Sequence, residues 1–245
     1  MRKYLSSALI LLLIITAACQ KEVVTRPVSF TGTQYKMLGG YDSVGTPDYL
    51  LTKDPISTDL LAFIKQTLPE RVDVRETHPD LLTSTALADI RVTQTSDVYL
   101  TYISHGAGQS NAIAYYTYPT NTPPATAKDI DTIRYAFPNA SSKTGLEPGD
   151  KVLLGRFQPG TSIGFVLMQS AFNLTTQTLE NNSVHFCSND VLNPEVDVNL
   201  KKHAVLIQYA PQNITLIGFE DLNRTNSQCD HDFNDVVLYT TVVPS

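Results

Sequence analysis

Five carboxylates fall within residues 220–235 of this 245-residue chain: Glu220, Asp221, Asp230, Asp232 and Asp235. Asp230, Asp232 and Asn234 alternate along the sequence, as oxygen donors do in calcium loops, where a hard cation takes six to eight oxygens. Residues 214–219 before the cluster and 236–243 after it are apolar and strand-like. Negative charge concentrated between two strands calls for a counter-charge, and all six side chains offer hard oxygen donors that suit Ca²⁺ better than zinc. The candidate metal ligands are therefore Glu220, Asp221, Asp230, Asp232, Asn234 and Asp235. The competing reading is a solvated acidic hairpin loop. Phe233 lies between the alternating donors, so strand alternation would turn it toward the core.

Other chemistry is less well supported by spacing. Ser104-His105-Gly106 invites a hydrolase reading, but the glycine-flanked serine elbow between strand and helix is missing. His185, Cys187 and His203 lack the close Cys/His spacing of zinc sites. Tyr115, Tyr116 and Tyr118 could offer a sugar-stacking face, although tyrosines on a strand more often cover a sheet.

The composition sets the frame. With 42% hydrophobic residues the chain can bury a full core, and a net charge of −6 without a basic block argues against nucleic acid as a partner. Tryptophan is absent and twelve tyrosines dominate the aromatics. Frequent Thr, Val and Tyr, punctuated by Pro and Gly, favour short strands joined by turns.

The N-terminus reads as an export signal. Arg2 and Lys3 precede an apolar run over residues 5–15, too short to span a bilayer comfortably. It ends in Thr16-Ala17-Ala18-Cys19, which resembles a bacterial lipobox with Thr16 in place of the usual aliphatic residue. That resemblance implies cleavage before Cys19, lipidation of its sulfur, and an outer-membrane protein held at the cell surface by its lipid anchor. Residues 1–18 are then the signal peptide and 19–29 a linker, with Gln20-Lys21-Glu22 similar to the surface-export signals of Bacteroidetes-type lipoproteins. Of three cysteines, two remain, Cys187 and Cys229. An even pair in an exported chain suggests a disulfide, which would tether the acidic loop.

Between these ends, residues 30–88 form an N-terminal segment with one or two short helices. Ser57 or Thr58 caps the clearest of them, Leu60, Leu61, Ile64 and Leu68 give its apolar face, and Pro69 stops it. A second helical piece is expected after His78-Pro79, through Leu81, Leu82 and Leu87. From residue 89 the period shifts to two. Short apolar runs at 98–103, 112–118, 130–137, 151–157, 163–168, 184–187, 205–209, 214–219 and 236–243 read as strands. The fold class is mainly β, an antiparallel β-sandwich of jelly-roll-like kind over residues 89–245.

Several phrases occur together in order: Leu146-Glu147-Pro148-Gly149-Asp150, Gly160-Thr161-Ser162-Ile163-Gly164-Phe165, Leu192-Asn193-Pro194-Glu195, Gly218-Phe219-Glu220-Asp221, and Asp230-His231-Asp232-Phe233-Asn234-Asp235-Val236-Val237. In these the chain resembles LruC-type bacterial lipoproteins built on domain of unknown function 4114, from about residue 60 to the end. Asn226-Ser227-Gln228-Cys229 stands where that family leads into its second acidic phrase with glycines. The resemblance implies an exported β-rich module, often attached to adhesin-like proteins, with no established reaction. The expectation is a non-enzymatic, calcium-stabilised surface module that binds a glycan, a matrix component or a partner protein. The alternatives are a hydrolase acting on surface polysaccharide, or a structural spacer. A glycosidase needs two carboxylates across a cleft, whereas these acids cluster in one loop.

Overall fold

A computed structural model of the chain describes residues 28–245. The export signal and Cys19 lie outside the described residues. Within them, two β-sheets face one another. One has the order β1–β5–β4–β7–β10: β1 Gln34–Met37, β5 Thr132–Phe137, β4 Ala112–Pro119, β7 Thr161–Met168 and β10 His185–Cys187. β2 (Ile90–Val92) pairs with the end of β7 not taken by β10. The other sheet runs β11–β12–β13–β3–β6: β11 Ala204–Tyr209, β12 Ile214–Phe219, β13 Val236–Pro244, β3 Ser96–His105 and β6 Lys151–Phe157. A small ribbon pairs β8 (Phe172–Asn173) with β9 (Thr178–Leu179). The mainly β, sandwich-like architecture is as expected, with one difference: β1 joins β5 in parallel, while the pairs within the β11-to-β6 sheet are antiparallel.

Alternation explains the layers. Val98, Leu100 and Tyr102 of β3, Tyr115 of β4, Phe165 and Leu167 of β7, Ile217 and Phe219 of β12, and Leu238 of β13 meet between the sheets as the main core. Their neighbours Leu216, Val237 and Tyr239 face outward, under helix α1 (Thr58–Thr67). This is why β12 and most of β13 are apolar on both faces. Ser57 caps α1 by accepting from Leu60 N at 3.2 Å. Leu60 and Ile64 pack on the sheet as expected, whereas Leu61 is exposed, and Phe63 takes a place beside Tyr209. The second helix, α2, lies earlier than expected, at Val74–Thr77. The stretch after His78 is only a 3₁₀ turn, Pro79–Leu82, because a proline start and three following residues complete a single tight turn.

The N-terminal segment is built into the sandwich: β1 extends one sheet and α1 covers the other. The outer face of the first sheet carries Ala114, Tyr116, Ile133, Tyr135, Val166 and Cys187. Here Tyr116 lies opposite Gly164, and a Cβ on that glycine would come within 2.4 Å of the phenol ring. Gly164→Ala is therefore expected to cost about 1–3 kcal/mol by overpacking. Urea unfolding monitors this as a lower midpoint at unchanged slope; an unchanged midpoint would mean that Tyr116 moves aside freely.

Candidate functional site

The acidic loop links two neighbouring strands, and that pairing does the assembling. Phe219 of β12 lies opposite Val236 of β13, so Glu220 and Asp235 are the next positions on either side. The ladder continues one step: Asp235 N donates to Phe219 O (3.0 Å), and Asp221 N donates to an Asp235 carboxylate oxygen (2.7 Å). Acids separated by up to 15 positions in sequence thus converge at one end of the sheet.

The structure brings Glu220, Asp230 and Asp232 together, with one oxygen from each lying within 4.8 Å of the others. An ion at the Ca–O distance of about 2.3–2.6 Å spans donors up to roughly 5 Å apart, so one cation can reach all three. Glu220 and Asp232 are 1% and 2% exposed and Asp230 is open to solvent, which gives a buried floor and a wet entrance. Glu220 Oε2 is buried without any hydrogen-bond partner among the described residues. Such an atom bears a desolvation cost of about 1–3 kcal/mol or more if nothing meets it.

The other three expected donors stand apart. Asp221 is held by Asn111 Nδ2 at 2.6 Å, and its backbone oxygen accepts from Gln169 Nε2 at 2.7 Å. Asp235 is tied to the Asp221 amide and lies directly behind Glu220. Asn234 turns toward α1, where its Nδ2 donates to Leu68 O at 3.4 Å. The three-acid group is thus the candidate donor set, with Asp221 and Asp235 held by partners of their own.

The electrostatics follow from burial. Loss of solvent, and then repulsion from Asp230 and Asp232, raises Glu220 to about 7. Burial, followed by the charges of Asp221 and Glu220, raises Asp235 to about 9. Asp221 and Asp232 also rise, chiefly by burial. A divalent cation removes the cause, because it supplies the positive charge that buried carboxylates lack.

Phe233 reaches the core as expected, but by a different route. Residues 230–235 are not strand. His231 and Phe233 have φ of 59° and 56°, a left-handed alternation that carries strain for non-glycine residues. Phe233 is fully buried with Leu68, Val74 and Val205, and the Arg224 guanidinium stacks 5.1 Å from its ring centre. That packing supports the strained backbone. Asp232 is fixed from both sides, accepting from Asn234 N at 3.1 Å and from Arg71 N at 2.7 Å.

The expected Cys187–Cys229 bridge is not formed: both thiols are free and buried. Cys187 lies on the outer face of the β10 sheet, whereas Cys229 sits in the acidic loop with its Sγ 3.2 Å from His231 Nδ1. Even number and export say nothing of placement in different layers. The histidines are likewise engaged in packing. His185 bonds Tyr35 and Ser183 O and stacks on Phe30. His203 stacks on Phe186, donates from Nδ1 to Glu220 O at 3.0 Å, and meets Glu195 Oε1 through Nε2 at 2.8 Å. His203 therefore props the backbone of Glu220. Sequence reasoning missed Arg224, which is buried beneath the loop and donates to Lys202 O at 2.9 Å. A single arginine inside an acidic loop was the available signal. Tyr115 and Tyr116 are buried in the sheet, and Tyr118 is half-buried and donates to Asp89 at 2.7 Å.

No curated protein and no solved structure matches the chain. Residues 157–242, which run from the end of β6 into β13 and contain the whole acidic loop, match the family model described as domain of unknown function (DUF4114).

Proposed function

We propose that this protein is an exported, lipid-anchored surface module whose sandwich holds Ca²⁺ at Glu220, Asp230 and Asp232 and uses the ordered end of the sheet to bind a glycan, matrix component or partner protein. The buried, unpartnered Glu220 Oε2, on a side chain that gathers with two further carboxylates, carries this reading. A hard cation satisfies it, while a neutral solvated loop leaves it exposed to its full desolvation cost. The N-terminal order of basic, apolar and small residues ending in Cys19, and the likeness to LruC-type lipoproteins, support the anchored placement at the outer membrane. Among the described residues no helix is long and apolar enough to cross a membrane.

Thermal melts test the cation. Extracellular modules hold calcium at about 10⁻⁴–10⁻³ M, and a concentration near 100 times Kd adds roughly 2.7 kcal/mol to the native state. For a chain of this size that is a rise of roughly 5–10 °C. Asp232→Asn is expected to remove most of that rise. Equal melts with calcium and with chelator would reduce the loop to a solvated turn.

A further inference from the structure

Beside the acidic loop lies a second feature, a cavity of about 380 Å³ between the C-terminal end of α1 and the β3–β13 edge. Its apolar side is Ile64, Leu68 and Val237, and its polar side includes Lys65, Glu70, Ser104, His105 and Asn234. The volume is at the small end of ligand pockets, which run about 300–1,000 Å³.

The lining balances. It carries one lysine and one glutamate, the latter 3.6 Å from Arg71 Nε, so the pocket favours neither an anion such as phosphate nor a cation. Donors and acceptors are mixed: a lysine ammonium, a serine hydroxyl, an amide and a carboxylate. His105 Nδ1 is taken by the Tyr102 hydroxyl at 2.6 Å, and its Nε2 has no protein partner among the described residues. Burial lowers His105, so the ring stays neutral near pH 7. With the tyrosine donating to Nδ1, Nε2 carries the proton and is a donor. Gly106 is exposed, and a Cβ there would come within 2.7 Å of Asn234 Oδ1 and 3.5 Å of Glu70 Oε2. Two acceptor oxygens therefore approach one bare stretch of backbone. Adjacent hydroxyls above an apolar C–H face are the chemistry that answers such a lining.

This pocket is joined to the acidic loop by hydrogen bonds. Arg71 N donates to Asp232, Asn234 donates to Leu68 O, and Val74 N donates to His231 O at 3.0 Å. The wall made by residues 64–70 is thus fastened to a residue that the proposed cation would hold.

We infer that this cavity binds a neutral pyranose unit of a glycan, and that the acidic loop sets its wall, so that binding strengthens with calcium. The calcium dependence rests on the cation reading above. The test uses the full mature chain and a panel of methyl pyranosides (gluco, galacto, manno and N-acetylglucosamine), followed by saturation-transfer NMR with calcium and with chelator. At least one sugar is expected to bind about tenfold more tightly with calcium. Ser104→Trp, which fills the pocket without touching a carboxylate of the loop, should abolish the sugar signal while keeping the calcium-induced rise in melting temperature. Glu70→Gln should weaken binding and keep the same rise. No binding by any sugar, or binding unchanged in Ser104→Trp, overturns the inference. Sugar affinity equal in calcium and in chelator overturns the coupling between loop and pocket. Failure of the cation reading itself appears separately, as equal melts without sugar.

Discussion

In calcium-free buffer the protein is expected to lose stability between about pH 7 and about pH 8.5, and calcium is expected to suppress that loss. The sign follows from linkage. Asp235 is raised to about 9 and Glu220 to about 7, so the native state holds protons that the unfolded chain has already released. A native state with more bound protons is stabilised at low pH and loses that contribution as pH rises through the folded values. The expected fall is on the order of 2 kcal/mol, several degrees in melting temperature. Between about pH 4.5 and 6.5 the fall is offset. His185 and His231 are both lowered to about 4, chiefly by burial, so the unfolded chain binds protons that the native state refuses. The calcium-free loss is therefore steepest above about pH 6.5. With calcium bound, the loop carboxylates are already deprotonated and paired, and the slope above pH 7 flattens. Buried thiols and tyrosines titrate in both buffers, so the difference between the two melting curves isolates the loop. Parallel curves would contradict the account.

Phe233→Ala is expected to cost about 3–5 kcal/mol and to weaken calcium binding together with stability. The ring is fully buried, carries the stacked Arg224, and sits on a left-handed backbone between Asp232 and Asn234. Its removal leaves a cavity, and the strained turn that aims Asp232 loses its anchor. Leu238→Ala is the comparison: it is equally buried in the main core but remote from the turn, so stability falls while the calcium-induced shift persists. Phe233→Leu keeps most of the apolar volume, for use where the alanine variant unfolds. A calcium shift of the same size in the Phe233 and Leu238 variants would show that packing does not set the loop.

Local signals in the sequence were reliable where a single periodicity decided the outcome. Ser57 with Leu60, Ile64 and Leu68 marks α1, and the short apolar runs of β3, β4 and β12 mark the sandwich. Leu61 misleads because three leucines and one isoleucine can be placed on two faces of a short helix, and the choice depends on what covers them. β1 was not recognised as a strand: Gln34–Met37 mixes polar and apolar residues at a sheet edge, where little burial imposes a pattern. The site divides in the same way. Glu220, Asp230 and Asp232 converge because two consecutive strands pair, and consecutive strands are the most legible long-range contact. The support from Arg71, Leu68 and Val74 spans more than 150 positions, and no spacing rule reaches that far. Phe233 reached the core through two left-handed residues, not through strand alternation. Cys187 and Cys229 showed the limit of counting, since pairing is a matter of layers.

The most direct test of the central claim is isothermal titration of calcium into the full mature protein, beside Glu220→Gln. The account predicts a saturable heat with a Kd of about 10⁻⁴–10⁻³ M, lost in Glu220→Gln, while that variant melts no lower than the parent in calcium-free buffer because it removes a buried charge among like charges. Absence of heat in the parent, or an undiminished isotherm in Glu220→Gln, would contradict it.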